Sequence, residues 1–542
     1  MSTRTGHIDT FARDRLPARE HWPELPFDLP ELQYPGRLNC AAALLDDAIS
    51  EGHGERIALY GASENVTYSA LLDRVNRIAN LLVHDFGLIP GNRVLLRGAN
   101  SPMLAALWLA VMKAGGIAVT TMPMLRAGEL AKVAAKAEVE LALCHAGLVA
   151  DLHAAAKATG YLGRIVTYGN GDLESRIERA APQFETVPTA SDDVCLLAFT
   201  SGTTGNPKAT MHFHRDVMAI ADIVGGRLLE TRSDDIYLGS PPLGFTFGLG
   251  ALLIFPLRFR AAAVLLEQLS PDALLAAIAR FRATCLFTAP TMYRNLAPHV
   301  GEYDLTSLRK CVSAGGPLPK ATSDLWHEKT GLRMIDGIGA TEMLHIFISA
   351  KGDEIRAGAT GKPLPGYTAC ILDDNGQPLA PGGIGRLAVK GPTGCRYLAD
   401  ERQTQYVVNG WNITGDQYRL DEEGYFWFVA RTDDMIISSG YNISGVEVEA
   451  ALMQHPAVRE CAVVAAPDER RGQVVKAYVV LHAGFEPGAE LAMRLQEFVK
   501  ATIAPYKYPR LVQFIAELPR TPTGKVQHYL LRATFKPEFV GS

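Results

Sequence analysis

The strongest constraint in this sequence is a rhythm in which short apolar runs that suit buried strands alternate with longer segments whose apolar residues recur at helical spacing. Residues 67–86 place Leu71, Leu72, Val75, Ile78, Leu82 and Phe86 on one helical face, behind the capping candidates Thr67 and Ser69. Residues 93–97 then predict a strand, 102–113 a helix, 117–121 a strand and 127–137 a helix. The same alternation returns at 194–199, 216–229, 261–266, 271–280 and 284–288. Parallel strands need crossover connections, usually helices, so the rhythm predicts an α/β body of helix-covered parallel sheets from Met1 to about Arg431.

The texture changes at 361–389, where Pro363, Pro365, Gly366, Gly376, Pro378, Pro381, Gly382, Gly383 and Gly385 punctuate short alternating runs. That pattern predicts a small β-rich subdomain. Beyond Asp433 the pattern restarts, with a helix at 446–453, strands at 461–465 and 475–481, and a helix at 489–501. The remaining stretch is long enough for a small α+β lid with its own core, so the chain divides at 1–432 and 433–542.

Composition excludes several classes of function. The 542 residues are 48% hydrophobic and carry 53 Lys plus Arg against 58 Asp plus Glu, with no basic run that could track a phosphate backbone. Nucleic acid is not expected as a partner. The eight cysteines, Cys40, Cys144, Cys195, Cys285, Cys311, Cys370, Cys395 and Cys461, are far apart and show no CxxC pair, which speaks against a disulfide framework or a zinc site. They read as reduced thiols of a cytoplasmic protein, and residues 1–20 do not resemble an export signal. Residues 236–257 lack charge and have nearly the length of a membrane span, but Gly239, Pro241, Pro242, Gly244, Gly248, Gly250 and Pro256 would break the helix that lipid requires. No membrane span is expected.

The chemistry concentrates first in Phe199-Thr200-Ser201-Gly202-Thr203-Thr204-Gly205-Asn206-Pro207-Lys208, which comes after an apolar run and is expected to precede a helix. Two glycines allow close backbone approach to an anion, the hydroxyls can donate to phosphate oxygens, and Lys208 adds a positive charge. The G-x-x-x-x-G-K-[ST] spacing of a Walker loop is absent. His212, His214 and Asp216 come soon afterwards, and turns after the phosphate loop account for them without a metal, because no further ligands stand near them in the sequence.

This run resembles the signature of the adenylate-forming superfamily of acyl-CoA synthetases, luciferases and nonribosomal adenylation domains. Further matches occur in the family's order: Ser313-Ala314-Gly315-Gly316-Pro317-Leu318-Pro319, Asp336-Gly337-Ile338-Gly339-Ala340-Thr341-Glu342, Thr414-Gly415-Asp416, Arg431-Thr432-Asp433-Asp434 and Pro522-Thr523-Gly524-Lys525. The resemblance implies ATP and CoA as substrates and Mg2+ as cofactor. It assigns Glu342 to magnesium, Thr341 to a phosphate, Asp416 to the ribose hydroxyls, and Arg431 to the same sugar and phosphate. It makes Lys525 the cation between the attacking carboxylate and the α-phosphate. Asp433 corresponds to the hinge of a rotating lid, and Ser439-Gly440-Tyr441, Arg471 and Tyr508 correspond to CoA-contacting positions. A homodimer is left open.

Within the superfamily, the stretch from Asp336 to Phe347 resembles benzoate-CoA ligases, in which Ile338 replaces the usual aromatic residue beside adenine. There the positions of Gly339, His345 and Ile346 line the acid pocket, with a loop like Phe245-Thr246-Phe247-Gly248-Leu249-Gly250. Aromatic and aliphatic walls without charge suit a flat ring. The opening Asp9-Thr10-Phe11-Ala12-Arg13-Asp14-Arg15-Leu16-Pro17 is similar to that of 2-aminobenzoate-CoA ligases. The implied activity is an AMP-forming aromatic carboxylate-CoA ligase, with a medium-chain fatty acid as the alternative substrate.

Overall fold

The computed structural model describes residues 4–200, 206–431, 434–438, 441–468, 471–503, 505–521 and 524–533. Local chemistry sets many of the element boundaries. Thr67 Oγ1 accepts the Ala70 N–H at 3.1 Å and starts the helix Tyr68–Asn80, which continues in wider turns through Leu81–Asp85. Ser101 caps Pro102–Lys113 in the same way, with proline in the first turn, where its missing N–H costs nothing. Arg93–Arg97, Ile117–Thr121 and Ala127–Ala137 also form with the predicted bounds.

A six-stranded sheet runs in the order Arg164–Tyr168, Leu141–His145, Arg93–Arg97, Ile117–Thr121, β1 (Val194–Thr200) and β2 (Lys208–Phe213). Its pairs are parallel except the last, in which β2 returns antiparallel to β1 with Thr200 opposite Lys208. The phosphate-loop signature therefore connects two antiparallel strands and leads into a strand; the helix expected there, α1 (His214–Ile220), starts only after β2. His212 ends up within β2 and His214 at the start of α1, where turns were expected. A strand buried along nearly its whole length lacks the polar alternation that would announce it.

The second sheet has nine strands and contains β3 (Met334–Gly339). Its interior is parallel, as predicted, but Asn65–Thr67, Ile346–Ser349 and Lys362–Pro363 pair antiparallel toward its edges. The β-rich region extends well past 389: Thr368–Leu372, Ile384–Lys390, Val407–Val408, β4 (Trp411–Leu420) and β5 (Phe426–Arg431) form an antiparallel sheet of five strands. A separate C-terminal sheet holds the long strands β6 (Val458–Asp468) and β7 (Gly472–Leu481). Helices Gly445–Leu452 and Ala489–Thr502 help enclose its own core of Val448, Leu452, Val463, Val479, Leu495 and Val499. The chain thus has an α/β fold with mixed sheets and a small C-terminal domain. Residues 236–257 divide into the strand Ile236–Gly239 and short helical pieces from Thr246, and among the described residues no helix is long and apolar enough to cross a membrane.

One further segment bears on the site. Residues 396–398 lie antiparallel along β2, with Met211 N–H donating to Arg396 O at 2.8 Å and Leu398 N–H to Ala209 O at 2.9 Å. The fully buried Arg396 guanidinium donates to Asp216 on α1, itself fully buried. Burial works against both charges, and Arg396 together with His212 still holds the Asp216 carboxyl below its usual range. Removing one member of such a pair strands the other charge. Asp216→Asn is expected to destabilise the protein by about 3–5 kcal/mol. A melting temperature unchanged within about one degree would show that the pair does not hold this corner together.

Candidate active site

The end of β2 aims Lys208 at the buried turn that contains Thr341 and Glu342. Lys208 Nζ donates to Tyr397 Oη at 2.8 Å, Tyr397 Oη donates to Glu342 Oε1 at 2.5 Å, and Lys208 Nζ stands 3.4 Å from that same oxygen. The proton positions in this chain are fixed by chemistry, because an ammonium can only donate and a carboxylate can only accept. His212, four residues along β2, donates from Nε2 to the Thr341 carbonyl at 2.8 Å. One strand therefore positions both the cation and the turn that bears the carboxylate.

At the other end of the bend, Thr200 Oγ1 is buried without a partner among the described residues. Ser201, Gly202, Thr203, Thr204 and Gly205 lie outside the described residues. The far side of the loop is tied down by Arg402, whose Nη1 donates to Asn206 O at 3.2 Å and whose guanidinium also holds Asp400.

Gly315 and Gly316 have open space where a side chain would project, and Pro317 beside them is exposed. Asp336 lies on β3 and lines a narrow pocket with Leu318, Ser323, Met334, Ile355 and Thr360. Its Oδ1 is buried without a partner among the described residues, and burial pushes its pKa up to about 7 despite the Gly337 N–H beside it. Ile338 and Ala340 are partly buried against the main core. A Cβ at Gly337 would strike the Ile346 side chain, and one at Gly339 would sit 2.9 Å from the His345 backbone, so close packing demands both glycines.

Asp416 on β4 and Arg431 at the end of β5 are register partners and form an ion pair at 3.0 Å. Burial raises the Asp416 pKa, while Arg431, Thr414 and Lys525 act in the opposite direction. Lys525 comes from the C-terminal domain. It sits just after Gly524, whose φ of +82° suits glycine, in a turn closed by Thr521 N–H donating to Lys525 O at 2.7 Å and Lys525 N–H donating to Thr521 Oγ1 at 3.1 Å. Lys525 is exposed as a residue, yet the surrounding protein crowds its ammonium enough to lower its pKa. Asp416 and Glu342 attract the ammonium and Arg431 repels it, so this lysine of the C-terminal domain lies in the field of the body's charged groups.

A buried aromatic cluster stands beside this site. Phe247 packs at 5.7 Å from Phe287 and 5.6 Å from His345, and Phe255 meets His345 edge-on at 4.7 Å. Burial drives the His345 pKa down to about 3, so the ring is neutral. Its Nε2 donates to Phe247 O at 3.3 Å, which leaves Nδ1 as a buried acceptor without a partner among the described residues. Thr246 is buried, Phe245 partly so, and Ile346 packs into the core against Gly337.

The remaining positions singled out by the sequence lie in the C-terminal part. Tyr508 accepts from Arg510 Nη1 at 2.6 Å and has Lys500 above its ring; Arg471 is exposed and donates its backbone N–H to Asp468 at 2.8 Å. Tyr441 begins the strand Tyr441–Ile443, while Asp433, Ser439 and Gly440 lie outside the described residues.

Two groups have metal-ligand chemistry to consider. Among the described residues the one cluster of three potential ligands is Cys40, Cys195 and His214, fully buried. His214 Nδ1 already accepts the Cys40 N–H at 3.1 Å, which occupies the lone pair that a metal would need. Glu342 offers a carboxylate whose Oε1 is held by Tyr397, without a surrounding cluster of three ligands among the described residues. That donor set fits Mg2+ only when phosphate oxygens complete the coordination.

Sequence reasoning passed over Tyr397, Arg396, Arg402 and the role of His212. Tyr397 stands alone in 395–398, where no spacing marks it, and its importance comes from a strand pairing made across a long sequence separation.

Comparison with known proteins agrees with this arrangement. Residues 46–397 match the AMP-binding enzyme family, and residues 447–525 match the AMP-binding enzyme C-terminal domain. The chain belongs to this family. It is an AMP-forming ligase that joins an acyl or aryl carboxylate to CoA. It is 33% identical over 516 residues to the benzoate–CoA ligase of Thauera aromatica, spanning 93% of this chain and 97% of that one. It is also 33% identical over 534 residues to the mouse mitochondrial acyl-coenzyme A synthetase ACSM3, spanning 93% and 91%. Among solved structures, the anthranilate CoA ligase AuaEII in complex with anthranoyl-AMP superposes with a TM-score of 0.89 at 32% identity, covering 93% of this chain and 98% of that one.

The Asp336 carboxyl gives a pH signature. Below pH about 4 both the folded and unfolded states hold its proton; between about 4 and about 7 only the folded state does, so stability falls as pH rises and levels off above 7. Asp336→Asn removes that slope, and its melting temperature is expected to gain on the parent protein as pH rises from 4 to 7. Parallel melting curves across that range would contradict the assignment.

Proposed function

We propose that this enzyme activates an aromatic carboxylate, benzoate or a substituted benzoate such as 2-aminobenzoate, as its CoA thioester. The observation that carries the reading is the uncharged aromatic cluster of Phe247, Phe255, Phe287 and neutral His345 beside the charged site. A flat ring gains from such walls, whereas an amino acid would leave its ammonium without a counter-ion. The unpartnered His345 Nδ1 is an acceptor that an ortho-amino group could satisfy. The named activities of the Thauera and AuaEII proteins lend further support.

In the first step the carboxylate attacks the ATP α-phosphorus and pyrophosphate leaves; in the second the CoA thiol attacks the acyl carbon and AMP leaves. The protein's part is to position the reactants and offset charge. The loop from Thr200 to Lys208 cradles phosphate, with Ser201, Gly202, Thr203, Thr204 and Gly205 as its donors. Gly315, Gly316, Pro317, Asp336, Gly337, Ile338, Gly339 and Ala340 form the adenine side, and Asp336 Oδ1 accepts from the adenine amine. Asp416 accepts the ribose hydroxyls and Arg431 neutralises phosphate. Thr341 donates to phosphate, and Glu342 would hold magnesium, which, when bound, supplies positive charge to the phosphate oxygens. Phe245, Thr246, Phe247, Gly339, His345 and Ile346 shape the acid site. Lys525 bridges the attacking carboxylate and the α-phosphate. A lid of residues 433–542, hinged at Asp433 on a body of 1–432, then turns to present Ser439, Gly440, Tyr441, Arg471 and Tyr508 to CoA.

A single cation placed about 4 Å from developing negative charge is worth roughly a thousandfold in rate at an effective dielectric near 20. Lys525→Ala is therefore expected to lose about that factor in acyl-adenylate formation, measured by pyrophosphate release, while thioester formation from supplied acyl-adenylate changes far less. Equal losses in both half-reactions would remove Lys525 from this role. In a panel of benzoate, 2-aminobenzoate, hydroxybenzoates and hexanoate with ATP and CoA, kcat/KM is expected to favour a benzoate. A preference for hexanoate would overturn the aromatic assignment in favour of the aliphatic one.

A further inference from the structure

Tyr397 is buried to 1% exposure, yet its hydroxyl is spent on two charged groups of the active site. Its position is fixed from several sides. The backbone of 396–398 is bonded along β2, where Tyr397 pairs with Thr210, and Tyr397 N–H donates to Gln403 Oε1 at 2.8 Å. Gln403 Nε2 in turn donates to Cys395 O at 3.1 Å and to His21 O at 2.8 Å. The Tyr406 ring meets the Tyr397 ring edge-on at 5.8 Å, and Lys208 Nζ lies over both rings, at 4.9 and 5.7 Å. The hydroxyl thus sits at the end of a rigid arm.

Lys208 and Glu342 already form an ion pair at 3.4 Å in a largely buried setting, and without the hydroxyl bonded to both they could close to direct hydrogen-bonding distance. A closed pair of this kind is held strongly where water is scarce, and an incoming phosphate would have to break it. With the hydroxyl present, each charge is already hydrogen-bonded, through a neutral group that satisfies both at once. Exchanging that neutral partner for a nucleotide oxygen or a cation does not require breaking a direct hydrogen bond between the two opposite charges.

We propose that Tyr397 is a positioning residue for adenylation, a neutral spacer that keeps the 3.4 Å Lys208–Glu342 ion pair from closing into a direct hydrogen bond and so holds both groups ready for ATP. The proposal rests on the reading above that Lys208 and Glu342 serve the nucleotide. It assigns to the aromatic residue a task distinct from packing, since phenylalanine would fill the same volume.

Tyr397→Phe tests it. The variant is expected to raise the KM for ATP by roughly tenfold to a hundredfold, the usual worth of a hydrogen bond to a charged group, while kcat changes far less. Thioester formation from supplied acyl-adenylate and the melting temperature are expected to stay near those of the parent protein. In a Glu342→Gln background, which has no carboxylate to pair with Lys208, the additional effect of Tyr397→Phe is expected to shrink to less than about twofold. An unchanged KM for ATP in Tyr397→Phe, an equal loss in both half-reactions together with a lowered melting temperature, or full additivity with Glu342→Gln would each overturn the proposal. Lys208→Ala and Glu342→Gln separate the nucleotide reading from the spacer role. If neither raises the KM for ATP, the nucleotide reading falls; if both do and Tyr397→Phe does not, the spacer role alone falls.

Discussion

The arrangement of charge in this enzyme depends on the pairing of β2 with its two neighbours. On one side β1 fixes the ends of the loop by placing Thr200 opposite Lys208. On the other, residues 396–398 bring Tyr397 against Lys208 and Arg396 against Asp216. His212, within the same strand, holds the Thr341 carbonyl and with it the turn carrying Glu342. Hydrogen bonds along a strand fix the spacing of these groups far more tightly than side-chain packing alone, so the cation, the hydroxyl and the carboxylate form one rigid array. Charge stabilisation in such a site gains from being organised before the substrate arrives.

The second part of the site has a different character. Asp416 and Arg431 belong to neighbouring strands of the body's antiparallel sheet, whereas Lys525 reaches them from a domain with its own sheet and core. Among the described residues, the contacts between the parts include Arg294 donating to Met453 at 3.8 Å and Ser444 donating to the Val429 carbonyl. Units with separate cores can move relative to one another. A lid able to deliver Lys525 and then withdraw it is consistent with that division. On the role proposed for Lys525, the arrangement described, with Lys525 in the field of Glu342 and Asp416, corresponds to the adenylate-forming step.

Much of the α/β body could be read from the sequence because short apolar runs such as Arg93–Arg97 alternate with longer helical segments such as Tyr68–Asn80, whose buried residues recur at helical spacing. Strand β2 could not, because Lys208–Phe213 comes directly after a motif that resembles the entry to a helix. The antiparallel strands toward the edges of the nine-stranded sheet were equally hidden, since apolar runs do not state their direction. The ordered motifs singled out Lys208, Glu342, Asp416, Arg431 and Lys525 because charged residues beside glycines stand out in a linear pattern. Tyr397 and His212 act through contacts with residues distant in sequence, and a lone tyrosine or histidine in an apolar stretch looks like any other core residue.

On the proposed mechanism, the arrangement seen here is competent for the first half-reaction and must rearrange for the second. The most direct test is to lock the lid in place. Cysteines introduced by Arg294→Cys and Met453→Cys, at side chains that meet across the two parts, can be joined by a short bifunctional thiol reagent, and both half-reactions measured before and after the link is made. The account requires the linked protein to release pyrophosphate and retain acyl-adenylate while thioester synthesis from supplied acyl-adenylate falls by at least about tenfold, with activity restored when the link is cleaved. Linked protein that forms the thioester at the unlinked rate would contradict it.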